Sequence, residues 1–219
     1  MPEFDWKTLM VQWSRAVLES DLYPDDETEL PDESFGWMDD FGIWHSKPLE
    51  KPAELMASGW LGYPGASEEQ IQQLENRLGL PLPPSYREFL KLSNGWRRLN
   101  EEIYKLWSTK EVDWFAANYQ GFIDGWMSSN CPISDEEYFV YGDEQRPTSF
   151  RAEYLQAALQ ISKEGNGVSF YLLNPKVITK EGEWEAWFFS TRLAGVSRYR
   201  SFWDLMNAEF EIFLKGGEK

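Results

Sequence analysis

The feature that most constrains this chain of 219 residues is a proline bridge, Leu80-Pro81-Leu82-Pro83-Pro84, set between two helical patterns. Each proline biases the residue before it away from the helical region, so the bridge is extended. Pro84 suits the first turn of the following helix, where its missing N–H leaves nothing unpaired. Upstream, Gly62-Tyr63-Pro64-Gly65 reads as a turn. Ser67 and Gln70 then have the spacing of a capping box, in which the hydroxyl accepts from an orphan amide and the glutamine reaches back to the cap. Ile71, Leu74 and Leu78 form one apolar stripe, and Gly79 supplies a left-handed stop. Downstream, Tyr86, Phe89 and Leu90 face inward along a second helix that ends at Asn94-Gly95.

The flanking chain has legible periods as well. Trp6, Leu9, Met10, Trp13 and Val17 recur at helical spacing, and that helix ends before Tyr23-Pro24. Residues 25–40 carry eight acids and no lysine or arginine, which reads as an exposed loop. Leu30, Phe35, Trp37, Met38 and Phe41 within or beside it anchor it to the domain or meet a partner. A second capping box, Ser108 with Glu111, predicts a helix through Val112, Phe115 and Ala116. The period then changes. Tyr138-Phe139-Val140-Tyr141 reads as a short strand. Residues 159–162 and 168–173 flank a glycine-bearing hairpin loop, and Val177-Ile178 with residues 184–190 flank another at 179–183. Ser201 and Asp204 cap a last helix with Phe202, Leu205, Met206, Phe210 and Phe213 on its buried side. Helices, an antiparallel meander and a closing helix place the chain in the α+β class. The expected organisation is an N-terminal helix and acidic loop over residues 1–57, packed on or extending a main domain over 58–219.

Twelve Trp, 14 Phe and 10 Tyr suffice for a core without disulfides or structural metal. The net charge is −16, and the first 60 residues hold 14 acids against 4 bases. Such a field repels nucleic acid and anionic membranes and steers basic partners inward. Arg97-Arg98 and Arg198-Tyr199-Arg200 read as small basic islands within it. No apolar run approaches the roughly 20 residues of a membrane span. The start, Met1-Pro2-Glu3-Phe4-Asp5, lacks the pattern of a signal peptide, and the single Cys131 forms no internal disulfide, so a cytoplasmic location is expected. One histidine, His45, rules out a His-based metal cluster. There is no Gly-x-Ser-x-Gly elbow, phosphate-binding glycine loop or His-Glu-x-x-His. The adjacent acids Asp135-Glu136-Glu137 and Asp143-Glu144 read as solvated pairs. The expectation is a binding protein with no catalytic residue, cofactor or metal.

Residues 67–95, running from the capped acidic helix through Leu78-Gly79-Leu80-Pro81-Leu82-Pro83-Pro84 and Tyr86-Arg87-Glu88-Phe89-Leu90 to Ser93-Asn94-Gly95, resemble the signature of the SMI1/KNR4 (SUKH) superfamily. Leu172-Leu173-Asn174-Pro175, the run from Gly182 to Phe189 and Ser201-Phe202 with the closing helix resemble its later elements, so the resemblance spans about residues 60–214. It implies helices packed on a mostly antiparallel sheet. Many bacterial members are immunity proteins that neutralise toxins acting on nucleic acid, and fungal members are intracellular regulators. The first implies a stoichiometric complex with a basic toxin domain; the alternative is a scaffold or regulator without a toxin. The matched residues read as fold determinants, so the expected partner contacts come from charge and alternation instead. These are Asp25, Asp26, Glu27 and Glu29 in the acidic loop, Asp135, Glu136, Glu137, Asp143 and Glu144 around Tyr138, and Glu185 and Trp187 on one face of the strand over 184–190, where alternation opposes them to Trp184, Ala186 and Phe188.

Overall fold

A computed structural model describes residues 4–22, 36–38, 44–46, 51–129, 132–164 and 168–216. Helix α1 (Trp6–Glu19) starts where the Asp5 carboxylate accepts from the Thr8 amide, and it buries the expected stripe. After it come the strands β1 (Gly36–Met38) and β2 (Trp44–Ser46) and the short helix α2 (Ala53–Ser58). Helices α3 (Glu68–Leu78) and α4 (Pro84–Leu92) flank the proline bridge. Ser67 and Gln70 form the complete capping box, and Gly79 closes α3 in the left-handed region at φ 73°.

The later chain comprises β3 (Ile103–Leu106), β4 (Asp113–Trp114), α5 (Phe115–Ser129, kinked at Tyr119) and α6 (Asp135–Tyr138). Strands β5 (Leu159–Gln160), β6 (Ser162–Glu164), β7 (Ser169–Ile178), β8 (Trp184–Ser190) and β9 (Gly195–Tyr199) follow, and α7 (Phe202–Gly216) closes the fold. The main sheet has the order β4-β5-β7-β8-β9 with every pair antiparallel. The expected hairpin of β7 with β8 forms, and β5 pairs with β7, but Ser162, assigned to the same strand as Leu159, and Lys163 and Glu164, assigned to the loop, form β6, which pairs with β3 in a second sheet. The fold is α+β.

Helices cover both faces of this sheet. Tyr171, Leu173, Trp184 and Ala186 pack on one side into a core shared with α1, α3, α4 and α7. Phe170, Leu172, Trp187 and Phe189 pack on the other, against α5 and the 3-10 turn over Ala152–Ala157. Trp6 lies against Phe89, Phe202 and Trp203 at ring separations of 5.4, 5.3 and 4.8 Å, so the N-terminal helix is part of the main core. The open side of β9 is closed by its own chain. The Gln145 carboxamide accepts from the Arg198 amide at 2.6 Å and donates to its carbonyl at 3.3 Å, while the Val196 amide donates to the Pro147 carbonyl at 2.9 Å. A sheet edge so occupied offers no template for another strand.

Several local expectations are corrected. Tyr138 ends a helical turn instead of opening a strand. The Ser134 hydroxyl accepts from the Glu137 amide, and three acids sit in the first turn, where the exposed N–H groups favour negative charge. Ser108 and Glu111 are joined as expected, but they close one turn, and the helix begins only at Phe115. Pairing of β4 with β5 claims Asp113 and Trp114 first, a long-range bond that local spacing does not encode. Gly36–Met38, assigned to the acidic loop, is a strand whose partner lies beyond residue 40. Arg98 and Arg198 are buried rather than basic surface islands. Cys131 lies outside the described residues.

Candidate partner-binding groove

The acids expected around Tyr138 are brought together on one exposed segment. Asp135, Glu136, Glu137, Asp143 and Glu144 all face solvent. Asp135 is ion-paired to Arg151, and Glu137 accepts from the Ser149 hydroxyl at 2.5 Å. What holds this segment is Glu185, which corrects its assignment to the surface. Only 1% exposed, its carboxylate accepts from the Tyr138 hydroxyl at 2.5 Å, the Tyr141 hydroxyl at 2.7 Å, Trp187 Nε1 at 2.7 Å and Asn174 Nδ2 at 3.0 Å. Trp187 is fully buried beneath Phe150 and is not a surface anchor. Alternation correctly opposed these two side chains to Trp184 and Ala186. It could not tell that α5 and the 3-10 turn at 152 would cover their face. Arg198 completes the cluster, with its guanidinium 4.4 Å from the Tyr138 ring and donating to the carbonyls of Tyr138 and Val140. Burial first, then the Glu185 charge, raises both tyrosine hydroxyls well above their ordinary range. Asp25, Asp26, Glu27 and Glu29 lie outside the described residues.

A concave site opens on the opposite face of the sheet. It is a groove of about 1310 Å³ between the end of α1, the loop before β3, the partly buried Phe188 of β8 and Ser197 and Tyr199 of β9, and the C-terminal half of α7. Each wall is placed by a specific bond. Trp13 Nε1 donates to the Leu99 carbonyl at 3.1 Å, fixing the loop against α1. The Asn100 side-chain oxygen accepts from the amides of Glu102 and Ile103 at 2.9 and 2.7 Å, which turns the chain and presents Glu101 and Glu102. Lys51 Nζ donates to the Val17, Leu18 and Ser20 carbonyls, satisfying the open end of α1. Across the groove, residues 190–194 make a tight turn in which Ala194 takes φ 51°.

The lining is acidic and apolar. Glu19, Asp21, Glu101, Glu102 and Glu209 contribute carboxyls and Arg98 a guanidinium, while just outside the lining Arg15 pairs with Glu19 at 2.8 Å and the Lys51 ammonium lies near Asp21. Phe188 and Tyr199 lie in the floor. Leu193, Ile212 and Leu214 project from the walls and are 40%, 58% and 47% exposed, three of the ten exposed large apolar side chains among the described residues. Glu102 is ion-paired to Arg192 and accepts from the Ser169 hydroxyl at 2.6 Å. Glu209 accepts from the Tyr171 hydroxyl at 3.0 Å and the Tyr199 hydroxyl at 3.3 Å. Burial, opposed by those two hydroxyls and reinforced by the Glu102 charge, pushes its carboxyl up to about 7.

Sequence reasoning did not find this groove, because its walls come from five separated segments. One signal was present: Glu209 falls four residues after Leu205, inside the apolar stripe of the last helix. Among the described residues no cluster of His, Cys, Asp and Glu is arranged to hold a metal ion, and no helix is long and apolar enough to cross a membrane.

The family model described as the SMI1 / KNR4 family (SUKH-1) matches residues 65–216. A search of curated proteins finds no match. The matched span contains every groove wall except the end of α1.

Proposed function

The chain belongs to the SMI1/KNR4 family (SUKH-1), and from that premise we propose that it is an immunity protein, binding a basic toxin domain stoichiometrically inside the cell that carries it. The observation that carries this reading is the groove, with five carboxyls around exposed leucine and isoleucine side chains. Its volume of about 1310 Å³ exceeds the ~300–1,000 Å³ of ordinary small-molecule sites, which favours a protein segment as occupant. Apolar anchors ringed by charge match the anatomy of a binding interface, and the negative walls select a basic partner. The exposed acids from Asp135 to Glu144 lie on the other face. They add to the long-range field, but Phe139 is the one large exposed apolar side chain among them, so they act on encounter rate more than on the bound state. In this reading the protein acts by occupancy, turns over no substrate and needs no metal or cofactor.

The test is co-expression with the toxin encoded by the neighbouring gene, followed by binding measurements with the purified toxin domain. Wild-type protein should protect. Leu193→Arg and Ile212→Arg, both at exposed positions that leave the core intact, should abolish protection and weaken binding at least tenfold. Full protection by both variants would move the interface elsewhere. Survival of cells that lack this protein altogether would favour a regulator without a toxin.

A further inference from the structure

One charged residue of α7 falls inside the buried apolar stripe of that helix. Phe202, Leu205, Met206 and Phe210 form the core-facing stripe, and Glu209 lies among them at 4% exposure. A buried acid destabilises a fold unless it is neutral or paired, so an apolar side chain there would serve the fold better. Its two oxygens each accept one hydroxyl, from Tyr171 on β7 and Tyr199 on β9. A carboxylate offers about four acceptor sites, of which these two hydroxyls fill two, and Glu209 is among the residues that line the groove. Among the described residues no lysine or arginine pairs with it. Arg98 also lines the groove, its guanidinium held 3.9 Å from the Tyr104 ring and its Nε donating to the Asn100 carbonyl.

We propose that Glu209 is the cation-recognition residue of this groove, receiving a lysine or arginine side chain of the partner beside Tyr199, which lines the groove with it. This rests on the reading of the groove as the partner site. The remaining charges agree with it. Glu102 adds a second carboxylate from the loop before β3, and its own ion pair with Arg192 leaves that cation engaged. Glu19 at the end of α1, paired with Arg15, Asp21 just after that helix and Glu101 from the loop line the same groove. The end of α1 precedes the family-matched span, so this acidic setting is built partly from sequence outside it.

The geometry has a proton consequence. With no cation present, the dry site is relieved by protonation, which is why burial carries the carboxyl up to about 7. An arriving cation stabilises the carboxylate and releases that proton to solvent. Binding should then expel about one proton per complex at pH 6 and tighten about tenfold between pH 6 and pH 8.

The probe is an acetylated and amidated peptide alternating arginine with leucine, which titrates no group of its own in this range. Calorimetry in two buffers of unlike ionisation heat counts the protons released, and amide shifts around Phe188 and Ile212 report whether the peptide sits in the groove. We expect the proton release and the tenfold tightening with wild-type protein, and neither with Glu209→Gln. Glu136→Gln, on the opposite face, should leave both intact. Groove binding by the wild type without proton release overturns the role of Glu209, whatever the variant does. Absence of binding, or shifts confined to other surfaces, overturns the groove reading and this inference with it.

Discussion

Replacing Glu185 by alanine removes at once the acceptor shared by Tyr138, Tyr141, Asn174 and Trp187. All four donors are buried or partly buried, so water does not freely replace the lost carboxylate. An orphaned buried donor costs about 1–3 kcal/mol. Even if Tyr141, partly exposed, recovers a water, three orphans remain, and Arg198 is left in the core without the nearby negative charge. Such terms do not add in full, but about 4 kcal/mol or more is expected, a large fraction of the ~5–15 kcal/mol that stabilises a domain. Glu185→Gln separates charge from shape. Its amide nitrogen can face the Tyr141 hydroxyl, which can accept as well as donate, and its oxygen still serves the other three donors. Three charge-assisted bonds become neutral ones, each weaker by about 1 kcal/mol, while the desolvation of a carboxylate is relieved. The net loss should be about 1–3 kcal/mol. Urea unfolding at neutral pH, followed by tryptophan fluorescence, measures both variants. Hydrogen exchange should show the amides of α6 opening first. An alanine variant within about 1 kcal/mol of wild type would refute the argument that this cluster pins the 135–145 segment to the sheet.

Glu209→Gln should change the pH dependence of stability. The folded-state carboxyl, at about 7, lies above its unfolded value near 4.3, so the folded state holds the extra proton between them. Wild-type stability therefore falls as pH rises through this window, by about 4 kcal/mol in total. The glutamine variant should match wild type near pH 4 and exceed it near pH 8; identical curves by thermal unfolding would contradict the burial argument. Leu74→Ala should lose about 2–5 kcal/mol in denaturant, because Leu74 is 1% exposed in the main core. Gly65→Ala should lose about 3 kcal/mol or more, since its Cβ would stand 1.9 Å from the Lys91 carbonyl oxygen, a fixed backbone atom; a near-normal midpoint would show that the turn can move away.

What the sequence determined by itself is the set of features whose causes lie within a few residues. Ser67 and Gln70 reach each other across one helical turn, Gly79 stops α3 with its own backbone, and Pro81, Pro83 and Pro84 constrain only their neighbours. The stripes of α1 and α7 and the hairpin of β7 with β8 follow from side-chain period and a short loop, so the α+β class was legible too, whereas the pairing of residues 162–164 with β3 was not. The tertiary structure decided everything that depended on which surfaces meet. The alternation of β8 separated Glu185 and Trp187 from Trp184 and Ala186, but only the packing of α5 and the turn at 152 made both of them interior. The aromatic run from Tyr138 to Tyr141 has strand propensity, yet two of its hydroxyls are bound by a carboxylate that lies 44 and 47 positions away. The groove joins α1 to the loop at 98–102, strands β8 and β9, and α7. No local pattern announces it, because hydrophobic burial depends on area removed from water and not on order along the chain. Glu209 stands between the two: its misfit in an apolar stripe was readable, and its place between two tyrosines at the wall of a groove existed only after the chain had closed.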